Sequence, residues 1–457
     1  MNILFVVSDL TTEQLGIMSL SSILKQNSHN VGIVEAKPKE IKRKLKKNGF
    51  PILAFSAHSF IVSHYLELNR KIKKELNVFS VFGGPHPTYY PEMINEVGVD
   101  AICTGEGDYV LLDLINNLAE GKSITDIPNW SVKQDGQIFR NPAGPLIENL
   151  DDLPFADRSL FNEDYLNVIY MLTSRGCPYR CSFCAVRGEF RRRSVDNVIE
   201  ELKKVSLKSK AKFVTFADST FNLSSAWIFE FSKRYRKEIR LPFSCCVRAD
   251  LATPESIQCL KEAGCYRMAM GIETYDDFLR NEVLKKNISK KQIICAIDLI
   301  KKHNIKLKTF NMVGMPLSRL EDDFETLRFN IRCRPEHAGA SQFRLYKNTD
   351  VYNYLLGNKE FSRIEKYFKD DCQIIWNTLN SKGHRGQIEN LQKIFGITVG
   401  FPFLFPFVRF LIKLPLSWFY TFIYILWEKY CYYLCFWKAY SNWRSFCVTL
   451  RRCCKIF

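Results

Sequence analysis

Five short apolar runs open the chain, at residues 3–7, 31–35, 52–56, 78–82 and 101–103. Segments whose apolar positions recur at helical spacing follow them, at 12–25, 41–47, 63–76, 91–96 and 108–118. Apolar strands alternating with amphipathic helices predict an open parallel sheet covered by helices on both faces. Ligands of such folds bind beyond the carboxyl ends of the strands. The polar and glycine-rich segments fall there: Ser8-Asp9, Ser56-Ala57-His58-Ser59, Gly83-Gly84-Pro85-His86-Pro87-Thr88 and Thr104-Gly105-Glu106-Gly107. Adjacent glycines let a backbone approach a bulky planar ligand closely.

The texture changes between residues 126 and 165, where proline and turn residues recur. Residues 130–132 and 137–140 flank Gln134-Asp135-Gly136, which predicts a hairpin. A second strand–helix alternation then runs from 166 to 346. Strand ends fall at Thr173-Ser174, 216–219, 246–250, 270–273 and 313–316, with a sixth strand near 342–346. Helical segments lie at 194–207, 224–238, 253–263, 289–303 and 320–331. Beyond 347 the rhythm stops. Helices are expected at 350–356, 361–379 and 386–394, followed by an aromatic-rich stretch, 395–440, broken by Pro402, Pro406 and Pro415.

Chemistry concentrates just after the apolar run 168–172. Cys177, Cys181 and Cys184 stand at C-x3-C-x2-C spacing on one short loop. Such a loop can bring three thiolates onto one small inorganic cluster. A four-iron cubane held by three ligands keeps one iron open, whereas structural clusters and closed zinc sites usually take four. From the cysteines alone, a zinc knuckle with its fourth ligand elsewhere is the alternative. The 457 residues suffice for two or three domains. The 16 cysteines are scattered or adjacent in pairs, and no secretory signal precedes the first strand, so a reducing cytoplasm is expected. A net charge of +17 reads either as a solvated basic surface or as attraction to an anionic membrane; no motif points to nucleic acid.

The cysteine spacing, Gly176 before the first cysteine and Phe183 before the third resemble the radical S-adenosylmethionine (SAM) enzymes. Gly83-Gly84-Pro85-His86-Pro87-Thr88, then Pro91-Glu92, Asp100 and Gly105-Glu106-Gly107, resemble the cobalamin-binding domain of B12-dependent members. The resemblance implies an α/β chain with four parts. Residues 1–125 would form a doubly wound, flavodoxin-like cobalamin-binding domain, and 126–165 a linker. Residues 166–346 would form a partial (β/α)6, TIM-like radical SAM barrel, and 347–457 a mainly helical, aromatic-rich region.

The resemblance also implies site roles. Cys177, Cys181 and Cys184 would hold a [4Fe–4S] cluster whose open iron chelates SAM; reductive cleavage of SAM would release a 5′-deoxyadenosyl radical. Asp218 is placed like the acid that hydrogen-bonds the SAM ammonium, a charge-assisted contact. Arg248 would meet the methionyl carboxylate, Glu273 a ribose hydroxyl and the Gly314 backbone adenine. A cap or a rim salt bridge is the alternative for each polar residue. Two departures stand out: Ala217-Asp218-Ser219 where many members have Gly-Gly-Glu, and Gly314-Met315-Pro316-Leu317-Ser318 in place of Gly-Leu-Pro-Gly-Glu. Ser56, Gly83, Gly84, His86 and Gly105 are the candidate cobalamin contacts. Asp9-Leu10-Thr11-Thr12-Glu13-Gln14-Leu15-Gly16 lacks the histidine of D-x-H-x-x-G, which implies cobalamin bound without a protein imidazole. His58 and His86 are then expected to hold their loops. A cobalamin-free first domain is the alternative.

The activity implied is methylation or rearrangement of an unactivated carbon in a small, lipid-like molecule, with a flavodoxin or ferredoxin as electron donor. A non-catalytic iron–sulfur or zinc protein is the reading from another class. For residues 395–457 three readings stay open: contact with anionic lipid on the inner face of the membrane, a cap or substrate lid, and a span. No apolar run there reaches the roughly 20 residues a span needs.

Overall fold

The computed structural model describes residues 1–10, 13–161, 167–186, 188–347, 349–357, 373–375 and 385–436. The chain divides into two compact units, 1–165 and 166–457.

In the first unit, strands β1 (Asn2–Val7), β2 (Asn30–Glu35), β3 (Ile52–Ser56), β4 (Phe79–Gly83) and β5 (Ala101–Cys103) lie parallel in the order β2-β1-β3-β4-β5. Between them run α1 (Leu15–Gln26), α2 (Pro38–Asn48), α3 (Val62–Lys73) and the short α4 (Pro85–Tyr89); α5 (Asp108–Glu120) follows β5. Alternation along β1 divides its side chains between two cores. Ile3, Phe5 and Val7 pack with Ile17, Leu24, Leu111 and Ile115 of α1 and α5. Leu4 and Val6 pack with Ile41, Leu45, Tyr65 and Ile72 of α2 and α3. The strands are therefore buried on both faces, which explains their unbroken apolar runs. The hairpin β6 (Trp130–Gln134) and β7 (Gln137–Arg140) is present, and it adds antiparallel to β5. It turns on Asp135 and Gly136, both at positive φ, as a twist-matched two-residue turn requires.

The second unit begins with β8 (Val168–Met171), the short pair β9 (Ser174–Arg175) and β10 (Arg191–Arg192), α6 (Val195–Lys208), β11 (Phe213–Phe216) and α7 (Ser225–Glu238). It continues through β12 (Phe243–Val247), α8 (Pro254–Ala263), β13 (Cys265–Glu273), α9 (Lys290–Lys302), β14 (Lys306–Val313), α10 (Leu320–Cys333) and β15 (His337–Gln342). Six parallel strands pair in sequence order, from β8 through β11, β12, β13 and β14 to β15. The helix starts are written in the sequence. Ser194, Ser224, Thr253 and Ser289 each accept a backbone N–H three residues on, which satisfies a donor the first turn would otherwise orphan.

Two expectations are corrected here. The sixth parallel strand is His337–Gln342, not 342–346; the segment His337-Ala-Gly-Ala-Ser-Gln carries no β-branched or large apolar side chain to announce it. Instead β16 (Arg344–Tyr346) pairs antiparallel with β17 (Gln373–Ile375), while α11 (Asp350–Leu356) lies between them in sequence. The helix expected at 361–379 otherwise lies outside the described residues, and 373–375 is strand.

Helix α12 (Arg385–Gly400) packs Leu391, Ile394, Phe395 and Val399 against Val313, Phe324, Leu327 and Ala338. After α13 (Phe405–Leu411), the 20-residue α14 (Ser417–Phe436) lies on α12. Its Trp427 ring takes the space where a Cβ on Gly396 or Gly400 would fall. Glu428 of α14 meets His337 Nε2 of β15 at 3.0 Å. Among the described residues, no helix is long and apolar enough to cross a membrane.

Candidate functional site

The ribbon of β9 and β10 closes a loop, residues 176–190, that carries the three cysteines. Gly176 is at φ +76°, and a Cβ there would lie 2.1 Å from the Glu189 carbonyl oxygen. Only glycine fits that crossing. Ser182, between the second and third cysteines, pins the loop from below. Its N–H donates to Leu284 O at 2.9 Å, its Oγ to Val283 O at 2.6 Å, and its carbonyl accepts from Val351 N–H at 3.2 Å. The Val186 N–H points at Cys184 Sγ, 3.4 Å away.

Cys177, Cys181 and Cys184 line one cavity of about 210 Å³ at the carboxyl ends of the strands. Arg248, just after β12, enters it with its guanidinium 3.5 Å above the Tyr179 ring. Nη1 lies 3.9 Å from Cys181 Sγ, Nη2 donates to Lys286 O at 2.7 Å, and Nε pairs with Asp250 at 2.9 Å. Glu273, at the end of β13, has φ +65° and meets Lys286 Nζ at 2.6 Å. This ion pair lies over Gly271, where a Cβ would come within 2.1 Å of the carboxylate.

The structure thus brings Arg248 and Glu273 to the three cysteines. Asp218 is placed otherwise. It is 1% exposed and absent from the cavity wall, where Ser219 and Thr220 stand instead. Its carboxylate accepts the Thr173 N–H and Oγ1 at 3.0 Å each, and the Ser174 hydroxyl. Burial pushes it up, against the Ser174 hydrogen bond, Arg192 and Thr173. Gly314, after β14, lies outside that wall too; its N–H donates to the buried Asp323 carboxylate at 3.1 and 3.2 Å. Burial raises Asp323 to about 8. Lys286, Tyr179 and Ser219 were not singled out from the sequence, since none carries a spacing signal.

The donor set fits a multi-iron cluster. Cys177, Cys181 and Cys184 line the cavity together with Cys246, whose thiol burial pushes up. Burial raises Cys184, and the neighbouring Cys181 and Cys177 add to it, so three thiolates together call for positive charge between them.

In the first unit, the candidate residues sit at the ends of β3, β4 and β5. Ala57 N–H donates to Gly83 O at 2.8 Å and His86 N–H to Ala57 O at 2.9 Å, knitting the loops after β3 and β4 together. Gly84, at φ +96°, leaves little room for a Cβ, which would meet Ala57 O at 3.1 Å and Ser56 Oγ at 3.3 Å. Gly105, at φ +87°, faces open space, and its N–H donates to Thr88 Oγ1 at 3.0 Å. The His86 ring is buried; Nδ1 lies 3.1 Å from Ser59 Oγ and the ring packs on Tyr90. Burial lowers it to about 4, so it is a neutral loop-holding group at pH 7. A glycine-lined, open end of a parallel sheet suits a broad planar ligand such as a corrin.

Comparison with known proteins agrees with both halves. The B12 binding domain model matches residues 1–115, and the Radical SAM superfamily model matches 171–329. An uncharacterized methyltransferase of Pyrococcus horikoshii is 28% identical over 367 residues, covering 76% of this chain and 79% of the relative. The anaerobic magnesium-protoporphyrin IX monomethyl ester cyclase of Rubrivivax gelatinosus is 26% identical, covering 66% of this chain and 58% of its own length. Among solved structures, the radical SAM methyltransferase TsrM of Kitasatospora setae superposes with a TM-score of 0.68 at 17% identity, covering 78% of this chain and 76% of that one. The cobalamin-dependent radical SAM enzyme OxsB gives 0.63 at 20%, covering 80% and 56%. At these identities the superpositions speak to the fold.

Proposed function

We propose, because the chain belongs to the radical SAM proteins that carry a B12-binding domain, that it methylates or rearranges an unactivated carbon of a small molecule, with cobalamin as its second cofactor. The observation that carries this reading is one cavity, at the carboxyl ends of parallel strands, lined by Cys177, Cys181 and Cys184 together with Cys246 and by three charged side chains, Arg248, Glu273 and Lys286. When bound, the cluster with SAM supplies a 5′-deoxyadenosyl radical, and cobalamin supplies a methyl carrier.

The chain's own residues bind and orient. Cys177, Cys181 and Cys184 would hold the cluster, on a loop fixed by Gly176 and Ser182. Arg248 is held flat by Tyr179, Asp250 and the Lys286 carbonyl, which leaves it oriented toward a carboxylate such as that of SAM. Glu273 and Lys286 offer an acceptor and a donor to the polar remainder of the same ligand. Asp218 supports the loop from outside the cavity wall, and Gly314, outside it as well, is held by Asp323 and would fix the turn after β14. In the first unit the backbones of Gly83, Gly84 and Gly105, with Ser56 beneath, would take the corrin. Phe183 and Phe310 on the cavity wall support a partly apolar substrate. A small one-electron donor of the flavodoxin or ferredoxin kind would reduce the cluster.

The test is anaerobic reconstitution with iron, sulfide and cobalamin, then reductant and SAM. 5′-Deoxyadenosine formation with bound cobalamin is the expected result. A fully loaded protein that never cleaves SAM, with candidate substrates present, would sink the proposal. Deuterium-labelled SAM methyl separates the two outcomes: label in the product means methyl transfer, and its absence means rearrangement.

A further inference from the structure

Packing separates two faces of α14. Inward, Tyr420 and Cys431 are 3% and 1% exposed, Trp427 lies on the glycines of α12, and Glu428 reaches His337. The outward face of a helix that meets water is normally polar. Here it carries Trp418, Phe422, Leu426, Tyr430 and Leu434, which are 73, 56, 49, 51 and 41% exposed. Each is turned about 40° from the one before, so they form a band that winds around the helix, and Leu434 ends on the side that lines a cavity with Cys431, Tyr266 and His337. Phe403, Phe407 and Phe410 beside and within α13 are 69, 60 and 65% exposed. Ring contacts from Phe403 to Phe401, Phe401 to Trp427 and Trp427 to Tyr430, at 6.0, 5.8 and 5.6 Å, join the two groups. Scattered exposed apolar residues need no explanation, but a continuous array of this kind marks a partner surface.

Charge selects the partner. From α12 to α14, Arg385, Lys393, Arg409, Lys413 and Lys429 outnumber Glu389 and Glu428; Lys393 pairs with Glu389, Arg409 with Glu321 of α10, and Glu428 with His337. Lys413, between α13 and α14, is exposed. The sequence that follows, 437–457, has five basic residues and no acidic one. Exposed Trp, Phe and Tyr accompanied by Lys and Arg are the composition of a helix lying in the plane of an anionic bilayer surface. None of the described helices can cross. We propose that the α13–α14 face docks on an anionic lipid bilayer, with its apolar band at the boundary between headgroups and acyl chains. This proposal stands apart from the reading of the cysteine cavity.

Flotation of the full-length protein with phosphatidylcholine vesicles, with and without phosphatidylglycerol, tests it, alongside the variant W418S/F422S/L426S. All three substitutions fall on exposed positions, so circular dichroism and the thermal midpoint should match wild type. Wild type should bind the anionic vesicles and lose about tenfold in affinity on neutral vesicles or in high salt, the scale of one or two headgroup contacts. The variant should lose about tenfold or more on anionic vesicles. Equal binding by the variant would overturn the proposal. So would a wild type that ignores both vesicle types; if it is then a dimer that the variant dissociates, the face joins two copies of the chain.

Discussion

Asp218 holds Thr173 by both its backbone N–H and its hydroxyl, each at 3.0 Å, four residues before the first cysteine. The carboxylate at the end of one strand thereby fixes the root of the loop that begins at the end of its neighbour. Three donors converge on it from Thr173 and Ser174. Asp218→Asn would turn an NH₂ toward some of them, at a cost of about 1–3 kcal/mol for a buried unmatched group. Iron and sulfide content should fall, while SAM affinity of the loaded fraction stays at the wild-type level. Full cluster content with lost SAM affinity would instead make Asp218 the ammonium partner that the family resemblance implies.

Gly176 offers a sharper test of the same loop. An alanine there needs a left-handed backbone, roughly 1–2 kcal/mol uphill for an L-residue. It also sets a methyl against the Glu189 carbonyl. Gly176→Ala should open the β9–β10 ribbon and abolish cluster loading, as Ala at Cys177, Cys181 and Cys184 together should, with far-UV dichroism unchanged. Normal iron and sulfide in Gly176→Ala would show that the loop tolerates a different path.

What was legible in the sequence follows from which forces are local. The five strands of the first sheet carry period and composition in their own residues, and Ser or Thr caps announce four helices of the second unit. The cysteine loop was legible because three cysteines, a glycine and an aromatic lie within a dozen residues. His337–Gln342 was not, because its burial comes from α12 and α14, far along the chain. The partners of Asp218 were not legible for a similar reason: strand position says that its side chain leaves the end of β11, not that Thr173 will be there to receive it. Lys286 gives no sequence signal at all, and it enters the cavity only because Glu273 and Gly271 leave it a place.

Gly84 carries the corresponding prediction for the first unit. The β3 and β4 loops close on it so tightly that a methyl would press on Ala57 O and Ser56 Oγ. Gly84→Ala should therefore shift the loop that the corrin would meet. Cobalamin retained through gel filtration, read from its visible absorption, should drop several-fold while the cluster is unaffected. Undiminished retention would place cobalamin elsewhere or remove it from the first unit.

Asp323 links the Gly314 turn to pH. Burial raises its folded value to about 8 from an ordinary 3.8. A carboxyl raised on folding favours the folded state in its protonated form, so its contribution is whole below about 4 and is lost as pH climbs to about 8. His86 acts with the opposite sign over a lower range. Its folded value is lowered to about 4 from 6.5, so stability is gained as pH rises between those values and is flat above. The window from 6.5 to 8 therefore isolates Asp323 from His86. The thermal midpoint of the second unit should fall across that window in wild type, and Asp323→Asn should flatten the slope, because the amide keeps an acceptor for the Gly314 N–H without the buried charge. Parallel slopes in the two proteins would mean that the Gly314 hydrogen bonds hold Asp323 ionised, and the turn would then owe nothing to pH.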